Sequence, residues 1–391
     1  MSKFKIISIF YIFTILSLFL YSFTQVDLGL TLTKLSIWQV LQRFFQNIGY
    51  FQRPLSAVLY LAIIIALFIF YLIFLKMAHK NGLTRKNIWF LILVTGVVLL
   101  FSYNAFSYDL FNYIFDAKIV TNYGQNPYEH KALDYPFDPM LSFMHWTHRT
   151  LPYGQVWLFL TVSLSFLGMQ IFLPTYFLFK ALMAASYLFS AFLIGRILRK
   201  ISPKDELFGV VFFAFNPLVL IEGLVSAHND IVMISLSLLA FYFIINTNYI
   251  RSLIMFAASI GIKFATAALT PLFFYAYLRK KQGKELDWQR ISLFSVLLMI
   301  IPVILASFRT NFQPWYLLSI LPFASFISKR YYILIPTLIV SFFSLLQYIP
   351  FLYTGNWDSP IPVILFWLVF SSITISFVIT GLSFLRFKMV K

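Results

Sequence analysis

Uncharged apolar runs long enough to cross a lipid bilayer recur along this 391-residue chain. An apolar helix needs about 20 residues for that crossing, because each residue adds about 1.5 Å along the axis. The chain is 61% hydrophobic and only 11% charged. Inside a bilayer the backbone must satisfy its own hydrogen bonds, which favours helices. The sequence therefore predicts an all-α, polytopic integral membrane protein in which residues 1–391 form a single domain.

About twelve apolar runs approach this length. The predicted spans cover residues 5–24, 55–76, 88–106, 171–198, 207–225, 230–246, 251–265, 267–279, 291–308, 314–328, 331–350 and 361–385. Those at 251–265 and 267–279 are short, which is typical of a broken pair. Lysines precede the first run and no small-residue cleavage site follows it, which favours a retained span over a removed signal peptide. The chain has no cysteine, which excludes disulfides and thiolate chemistry.

Charge is distributed unevenly between the two sides of these spans. With the N-terminus inside, most of the 30 lysines and arginines fall on inner segments, including "GRILRKISPK" and the C-terminal "RFKMVK" of residues 386–391. This positive-inside pattern explains the net charge of +17 without nucleic acid as a partner. Most acidic residues and histidines fall outside. We therefore predict cytoplasmic termini, a plasma-membrane location and polar chemistry on the extracytoplasmic face.

The longest polar outer stretch covers residues 107–152, and it is too long and too aromatic for a simple connection. The next segment, "YGQVWLFLTVSLSFLG" (153–168), is apolar enough to span. A crossing there would put "GRILRKISPK" outside, against the charge pattern. We predict a large extracytoplasmic loop, 107–170, that includes an interfacial helix. An ordinary span followed by an unusual loop stays open as the alternative. A second interfacial helix is predicted for "SIWQVLQRFFQNIGYF" (36–51).

Two aspartates stand in the outer stretch "SYDLFNYIFDAK" (107–118). On a helix, Asp109 and Asp116 share a face and lie roughly 10 Å apart along the axis. That separation is too wide for a shared metal ion and lies at the far end of the range for a carboxylate pair acting on one glycosidic bond. Asp109 is nearer the membrane, where partial burial would raise its pKa and help it act as a base. Two alternatives stay open: both are solvated acids at a span end, or Asp116 forms an ion pair with Lys118.

A second polar cluster lies in "FNPLVLIEGLVSAHNDIVM". The Asn-Pro pair at 216–217 is expected to break a span. Glu222 lies in an apolar run, where an ionisable residue is costly and indicates a function. His228, Asn229 and Asp230 stand at the start of the next span, where Asn229 or Asp230 could instead serve as its N-cap. No zinc-binding spacing accompanies the histidine, so no metal ligands are assigned.

Two cations lie near the ends of apolar runs. Lys263 interrupts "SIGIKFAT", and Arg309 stands in "FRTNFQPWYLL" beside Trp315 and Tyr316. They could hold a phosphate at the bilayer edge, or simply extend their charges to water. The chain has no G-x-G-x-x-G after a strand and no G-x-x-x-x-G-K-[ST], so a nucleotide has no recognisable site. A phosphate-linked substrate would then arrive on a membrane lipid.

Three segments, in order, resemble motifs of the multi-spanning glycosyltransferases of the C superfold. They are "YDLFNYIFDAKIVTNYGQNPYEH", "NPLVLIEGLVSAHNDIVM" and "FQPWYLLSILP". Within that superfold the chain looks most like the polyprenol-phosphomannose-dependent alpha-1,6-mannosyltransferases, over about residues 88–330. The resemblance implies a glycosyltransferase C fold, in which the loop after an early span carries a catalytic aspartate and interfacial helices follow it.

The resemblance also implies a reaction, namely inverting transfer of a hexose, mannose above all, from a polyprenyl-phosphate donor to a glycan or lipid acceptor. Asp109 would be the catalytic base. A polyprenyl phosphate is a good leaving group, so cations are needed rather than a second acid. Those expected at the donor phosphate are Lys263, Arg309 and His228. The residues expected to bind substrate are Asp116, Tyr123, Asn126, Tyr128, Glu222, Asn229 and Asp230. Members of the superfold differ in metal dependence, so no cofactor is assigned and a divalent ion stays open.

Two other classes of protein fit part of this pattern. A transporter or lipid flippase would use about twelve spans and an intramembrane acid such as Glu222. The lack of an internal repeat and the concentration of polar residues on one side count against that class. A structural membrane scaffold would leave the outer acids without a role.

Overall fold

The fold consists of helices packed side by side. The structure, a computed structural model, describes residues 3–389 of the chain and the side chains of residues 3–385. Within that range the chain is all-helical and contains no strand, which confirms the predicted fold class. The predicted inner segment "RFKMVK" (386–391) lies outside the described side chains.

Sixteen α-helices are joined by short 3-10 and π-helical turns in this part of the chain. The first eight are α1 (Lys3–Ser22), α2 (Ser36–Gln46), α3 (Arg53–His79), α4 (Arg85–Leu100), α5 (Asp109–Thr121), α6 (Gln155–Leu167), α7 (Phe172–Ile201) and α8 (Glu206–Ala214). The other eight are α9 (Asp230–Ile245), α10 (Tyr249–Ile262), α11 (Thr270–Lys281), α12 (Trp288–Thr310), α13 (Leu321–Ala324), α14 (Tyr331–Leu346), α15 (Tyr348–Thr354) and α16 (Ile361–Met389).

Six helical elements of the described chain are long and apolar enough to cross a bilayer. They are Lys3–Gln25, Arg53–His79, Phe172–Ile201, Trp288–Thr310, Tyr331–Thr354 and Ile361–Leu385. A seventh candidate is the bent pair Pro203–Ala214 and Val219–Val225, whose axes differ by 59°. The protein is therefore a multi-pass membrane protein, as predicted.

The remaining predicted spans fall on shorter elements. Helices α4 and α9 have 16 residues each, α10 has 14 and α11 has 12, so none alone reaches the about 20 residues of a full crossing. The prediction of one continuous span over 314–328 is wrong. That segment is a 3-10 turn, the four-residue α13 and a second 3-10 turn. Pro314 and Pro322 stand at the first turns of the 3-10 segment and of α13, because proline is tolerated at a helix start and disrupts a helix interior.

Helix α6 lies within residues 153–168, the segment that could be either a membrane span or an interfacial helix by its sequence. It has 13 residues, about 20 Å of helix, and is too short to cross a hydrocarbon core of about 30 Å alone. Its start is fixed against the end of α10, where the Gly154 amide donates to the Ile262 carbonyl oxygen at 3.1 Å. Gly154 lies so close to Gly261 that a Cβ would come within 2.2 Å of the Gly261 carbonyl oxygen. The location of α6 on the outer interface stays a prediction.

Helix α2, predicted to be interfacial, presents its polar and apolar residues in an unusual arrangement. Gln42 and Gln46 are buried, and their side-chain amides donate to the backbone carbonyl oxygens of Leu30 and Val26. Ile37, Val40 and Phe44 are exposed instead. Such a helix suits a position with its apolar face in lipid, and its contact with the bilayer stays a prediction.

The bent pair after α7 places the second polar cluster inside the protein. The break follows Asn216-Pro217, as predicted, because proline lacks an amide hydrogen and clashes with the preceding turn. Asn216 compensates through its side-chain oxygen, which accepts from the Leu218 amide at 3.0 Å. The π-helical turn Val219–Val225 then carries Glu222 into the core, and α9 begins five residues after that turn ends.

Candidate active site

Asp109 is the first residue of α5 and lies almost completely buried. Its Oδ1 is 3.1 Å from Nη2 of Arg149, and its Oδ2 is 3.5 Å from Nδ1 of His228. The backbone amide of Asp109 donates to the Ser107 hydroxyl at 3.1 Å, which fixes the start of the helix. Two cationic side chains from distant parts of the chain therefore hold one carboxylate.

His228 connects this carboxylate to a second one. Its Nε2 is 3.3 Å from Oε2 of Glu222, and its ring stacks on Trp315 with the centroids 4.3 Å apart. Neither histidine nitrogen has a well-directed hydrogen bond to a carboxylate, so these contacts are ion pairs at close range. The imidazole is fully buried and is held between two acids and an aromatic face.

Glu222 is completely buried, yet it has partners on two sides. Besides His228, the Tyr348 hydroxyl donates to Oε1 of Glu222 at 2.8 Å. Tyr348 begins α15, so the end of the chain contributes to the cluster. A buried carboxylate needs such partners, because an unpaired buried charge is costly.

Lys263 lies where α10 ends, at a residue with extended backbone that separates the helix from a 3-10 turn. Its Nζ is 2.7 Å from Oδ2 of Asp230, and it lies 6.0 Å from the ring centroids of Tyr153 and Tyr316. The lysine side chain keeps 25% of its surface exposed. The side chain is therefore only partly enclosed by the protein.

The charges of Asp109 and His228 stabilise each other. Burial raises the pKa of Asp109, but the contact with His228 and the charges of Arg149 and Lys263 outweigh burial and lower that pKa to about 2. The expectation that burial would give Asp109 a raised pKa is therefore wrong. Burial likewise opposes the charged form of His228, but Asp109 and Glu222 raise the pKa of His228 to about 9. At neutral pH both groups are ionised.

Asp116 differs from Asp109 although both are on α5. Burial raises the pKa of Asp116 to about 8, because Arg149 offsets only part of that effect and Asp109 adds to it. Asp116 is therefore protonated at neutral pH.

Lys118 pairs with Asp138 at 2.5 Å rather than with Asp116. Both alternatives for these acids are wrong, because Asp109 and Asp116 are only 8% and 9% exposed and Asp116 is not the partner of Lys118.

Three predicted substrate residues lie around the far end of α5. The Tyr123 hydroxyl donates to Oδ2 of Asp138 at 2.6 Å. The Asn126 side-chain oxygen accepts from the Tyr128 amide at 3.1 Å, and the Tyr128 hydroxyl donates to the Tyr153 carbonyl oxygen at 3.1 Å. Asn126 and Tyr128 are therefore connected to Tyr153, whose ring lies near Lys263, whereas Tyr123 contacts Asp138 instead.

Asn229 and Arg309 complete the predicted set. Asn229 is fully buried, and neither atom of its side-chain amide has a hydrogen-bond partner. It occupies the N-cap position of α9 without making a side-chain cap, so the capping alternative does not explain it. Arg309 is exposed near the end of α12 and has no ion pair within the described residues, so the structure does not bring it into the cluster.

Two partners of the acids in this cluster were not predicted from the sequence, one an ion-pair partner and the other a hydrogen-bond donor. Arg149 and Tyr348 contact Asp109 and Glu222 from 40 and 126 residues away along the chain. Arg149 could have been singled out as a basic residue in a loop predicted to be rich in acids. Nothing in the sequence distinguishes Tyr348 from the other tyrosines.

Two cavities of the protein lie away from this cluster. The larger has about 370 Å³ and is lined by Lys118, Asp138 and neighbours, and the smaller has about 270 Å³ and is mostly aromatic. Neither is lined by Asp109 or His228. Over residues 3–385, no three histidine, aspartate or glutamate side chains come together as a metal-binding group.

A multi-pass helical protein that gathers acidic and cationic side chains into one buried cluster has the features of a membrane enzyme. Residues 15–279 match the model of the MptA_B family, described as alpha-(1->6)-mannopyranosyltransferase, N-terminal domain. This match covers well over half of the chain, so the chain belongs to that family and is a mannosyltransferase. No curated protein and no solved structure gives a significant match.

The family match confirms the resemblance to alpha-1,6-mannosyltransferases. It includes Asp109, Glu222, His228 and Lys263 but ends before Trp315 and Tyr348. The C-terminal third of the chain nevertheless supplies an aromatic stacking partner and a hydrogen bond to the cluster.

Proposed function

We propose that this protein transfers mannose from a polyprenyl-phosphate donor to a hydroxyl of a glycan or lipid acceptor. The reaction takes place on the extracytoplasmic face of the plasma membrane, both termini are cytoplasmic, and the anomeric configuration is inverted. Asp109 is the base. The observation that carries the proposal is the ionised Asp109 carboxylate, buried at the start of α5 between Arg149 and His228.

The bonds that change are few. The acceptor hydroxyl gives its proton to Asp109 while its oxygen attacks the anomeric carbon of the donor. The bond from that carbon to the phosphate oxygen breaks, and the polyprenyl phosphate leaves with the electron pair. A single displacement from the face opposite the phosphate inverts the configuration. General base catalysis of this kind is worth typically 10²–10⁴-fold.

The low pKa of Asp109 implies that the donor binds before Asp109 deprotonates the acceptor. In the free enzyme the carboxylate is ionised but weakly basic, because Arg149, His228 and Lys263 all stabilise its charge. A donor phosphate would compete for the same cations and so weaken their hold on Asp109. Binding of the donor would then raise the basicity of Asp109 when an acceptor hydroxyl is to be deprotonated.

The cations have a second role at the leaving group. Lys263 is the donor-phosphate ligand that the cluster supports best, since its side chain is partly exposed and lies near Asp109. His228 is the second proposed ligand, although it is buried between its two acids. Charge-assisted contacts from such groups stabilise the negative charge that develops on the phosphate. Arg309 remains a proposed contact at the bilayer edge, where its exposed guanidinium could meet the phosphate.

Neutral polar side chains around this cluster, Asp116 and Asn229 among them, would bind the acceptor and the sugar. Protonated Asp116 can donate a hydrogen bond to a sugar hydroxyl, and the unpaired amide of Asn229 can both donate and accept. The other proposed substrate contacts are Tyr123, Asn126, Tyr128, Glu222 and Asp230. Glu222 and Asp230 act chiefly by holding His228 and Lys263.

The function is tested with purified protein in proteoliposomes, radiolabelled polyprenyl-phosphate mannose and candidate glycan and glycolipid acceptors. We expect a labelled product with an alpha-1,6 linkage, and none when GDP-mannose replaces the lipid donor. Transfer from GDP-mannose alone would overturn the donor assignment. Movement of the labelled lipid across the bilayer without a covalent product would favour the transporter class instead.

A further inference from the structure

A lysine without an acidic partner lies in the middle of α7. Lys180 is 1% exposed, and its Nζ makes three hydrogen bonds, all to uncharged oxygens. It donates to the Ser102 hydroxyl at 3.1 Å, to the Val225 carbonyl oxygen at 3.0 Å and to the Leu224 carbonyl oxygen. Because burying a lysine charge is costly, a side chain kept here needs a reason beyond packing.

The two carbonyl groups belong to the end of the π-helical turn Val219–Val225. Carbonyl groups at the end of a helix lack partners within it, and a positive charge there is favourable. An ammonium group has three donors, which matches the three oxygens that Lys180 contacts. Lys180 therefore ties α7 to the end of the turn that carries Glu222.

The backbone just beyond this turn is strained. Ala227 has φ of +62°, a left-handed conformation that is unfavourable for a residue with a Cβ. His228 follows directly, and its amide donates to the Glu222 carbonyl oxygen at 3.0 Å. The strained residue thus lies between the carbonyl groups held by Lys180 and the imidazole that faces Asp109.

We propose that Lys180 is a positioning residue for the transfer reaction, and that its hydrogen bonds to the end of the π-helical turn hold the strained backbone that aims His228 between Asp109 and Glu222. Lys180 touches no reacting atom and acts only through the backbone of Leu224 and Val225. Its role in catalysis rests on the proposed function, whereas its role in placing His228 does not.

The direction in which the pKa of His228 changes in a Lys180 variant distinguishes a positioning role of Lys180 from a purely electrostatic one. The charged groups facing His228 are Asp109 on α5 and Glu222 on the turn, with Arg149 and Lys263 beyond Asp109. A Lys180→Met variant changes none of them. Removing only a nearby positive charge would raise the pKa of His228. Moving the ring away from its two carboxylates would lower that pKa toward its ordinary value.

The experiment is a titration of the ¹⁵N-labelled histidines by NMR in detergent, for the unmodified full-length protein and for Lys180→Met. We expect the His228 resonance of Lys180→Met to titrate at lower pH. An unchanged or higher titration point in the folded variant would overturn the proposal. Lys180→Gln keeps an amide NH2 group with two N–H donors in place of three. It replaces Lys180→Met if the methionine variant does not fold, and we expect a smaller shift in the same direction.

Activity provides the second readout, with Ser190→Ala as the matched control. Ser190 lies buried on the same helix, and its hydroxyl has no partner, so its removal leaves both titration and activity unchanged. For Lys180→Met we expect about a hundredfold loss of kcat, a size that small misplacements near a reacting centre produce. If the unmodified protein fails to use the lipid donor, the proposed function fails, while the titration still decides the role of Lys180.

Discussion

At the scale of single residues, the candidate site is a line of alternating charges, Arg149, Asp109, His228 and Glu222. Each charge is compensated by its neighbours, which is how ionised groups persist where water is scarce. The residue types of the two acids and the histidine could be read as functional from the sequence. The direction of the pKa shift of Asp109 could not, because burial is visible in an apolar context whereas a cation 40 residues away is not.

Asp116 gives a prediction about stability and pH. Its folded pKa is about 8 against an ordinary 3.8, so its favourable contribution is complete below pH 3.8 and is lost as pH rises toward 8. Asp116→Asn removes this dependence and should raise the unfolding temperature in detergent at neutral and alkaline pH. Asp358→Asn, at an exposed acid, serves as the control and should change nothing. A lower unfolding temperature for Asp116→Asn at pH 9 would contradict the assignment.

At the scale of helices, the residues of the site are positioned by interruptions and ends of helices rather than by regular helical turns. Asn216-Pro217 ends α8 and starts the turn that carries Glu222, and the extended residue Lys263 ends α10. Proline marked the first break in the sequence, and a polar residue in an apolar run marked the second. The prediction of one span over 314–328 was wrong, because Pro314 and Pro322 divide this apolar segment into short helical pieces.

The contact between α6 and α10 is a test at this scale. Gly154→Ala places a methyl group 2.2 Å from the Gly261 carbonyl oxygen, and backbone on both sides leaves little room to adjust. We expect a loss of about 1–3 kcal/mol, as for other overpacked sites. A drop in activity should accompany it, because Tyr153 beside Lys263 moves with α6.

The matched control for that variant is Gly381→Ala in α16, where a Cβ would meet nothing within 4 Å. It should be neutral or slightly stabilising, because alanine favours helices over glycine. Thermal unfolding in detergent measures both variants. Equal unfolding temperatures for the two would show that the close approach of α6 to α10 does not constrain the fold.

At the scale of the whole molecule, the proposed reaction depends on which face of the membrane carries Asp109. Helix content and multi-pass character followed from hydropathy, since apolar runs of this length have few other structures. The ends of individual spans did not follow, because several apolar segments are shorter than a bilayer and are positioned by their neighbours. The sidedness rests on charge alone, and the absence of cysteine from the natural chain makes it easy to measure.

Single cysteines provide that measurement. Phe137→Cys lies in the predicted outer loop, where Phe137 is 98% exposed, and Lys284→Cys lies in a predicted inner loop. We expect a membrane-impermeant maleimide to label the first in intact cells and the second only after permeabilisation. The reverse pattern would place the site in the cytoplasm and contradict a donor carried on the outer leaflet.

The most direct test of the central claim is the rate of mannose transfer by Asp109→Asn, compared with Asp134→Asn, an exposed acid in the same loop. Asparagine keeps the shape of Asp109 but cannot accept the proton of the acceptor hydroxyl. Loss of the base should lower kcat by about 10²–10⁴-fold in Asp109→Asn, while Asp134→Asn keeps the unmodified rate. A folded Asp109→Asn protein that transfers mannose at a rate close to that of the unmodified enzyme would show that Asp109 is not the base.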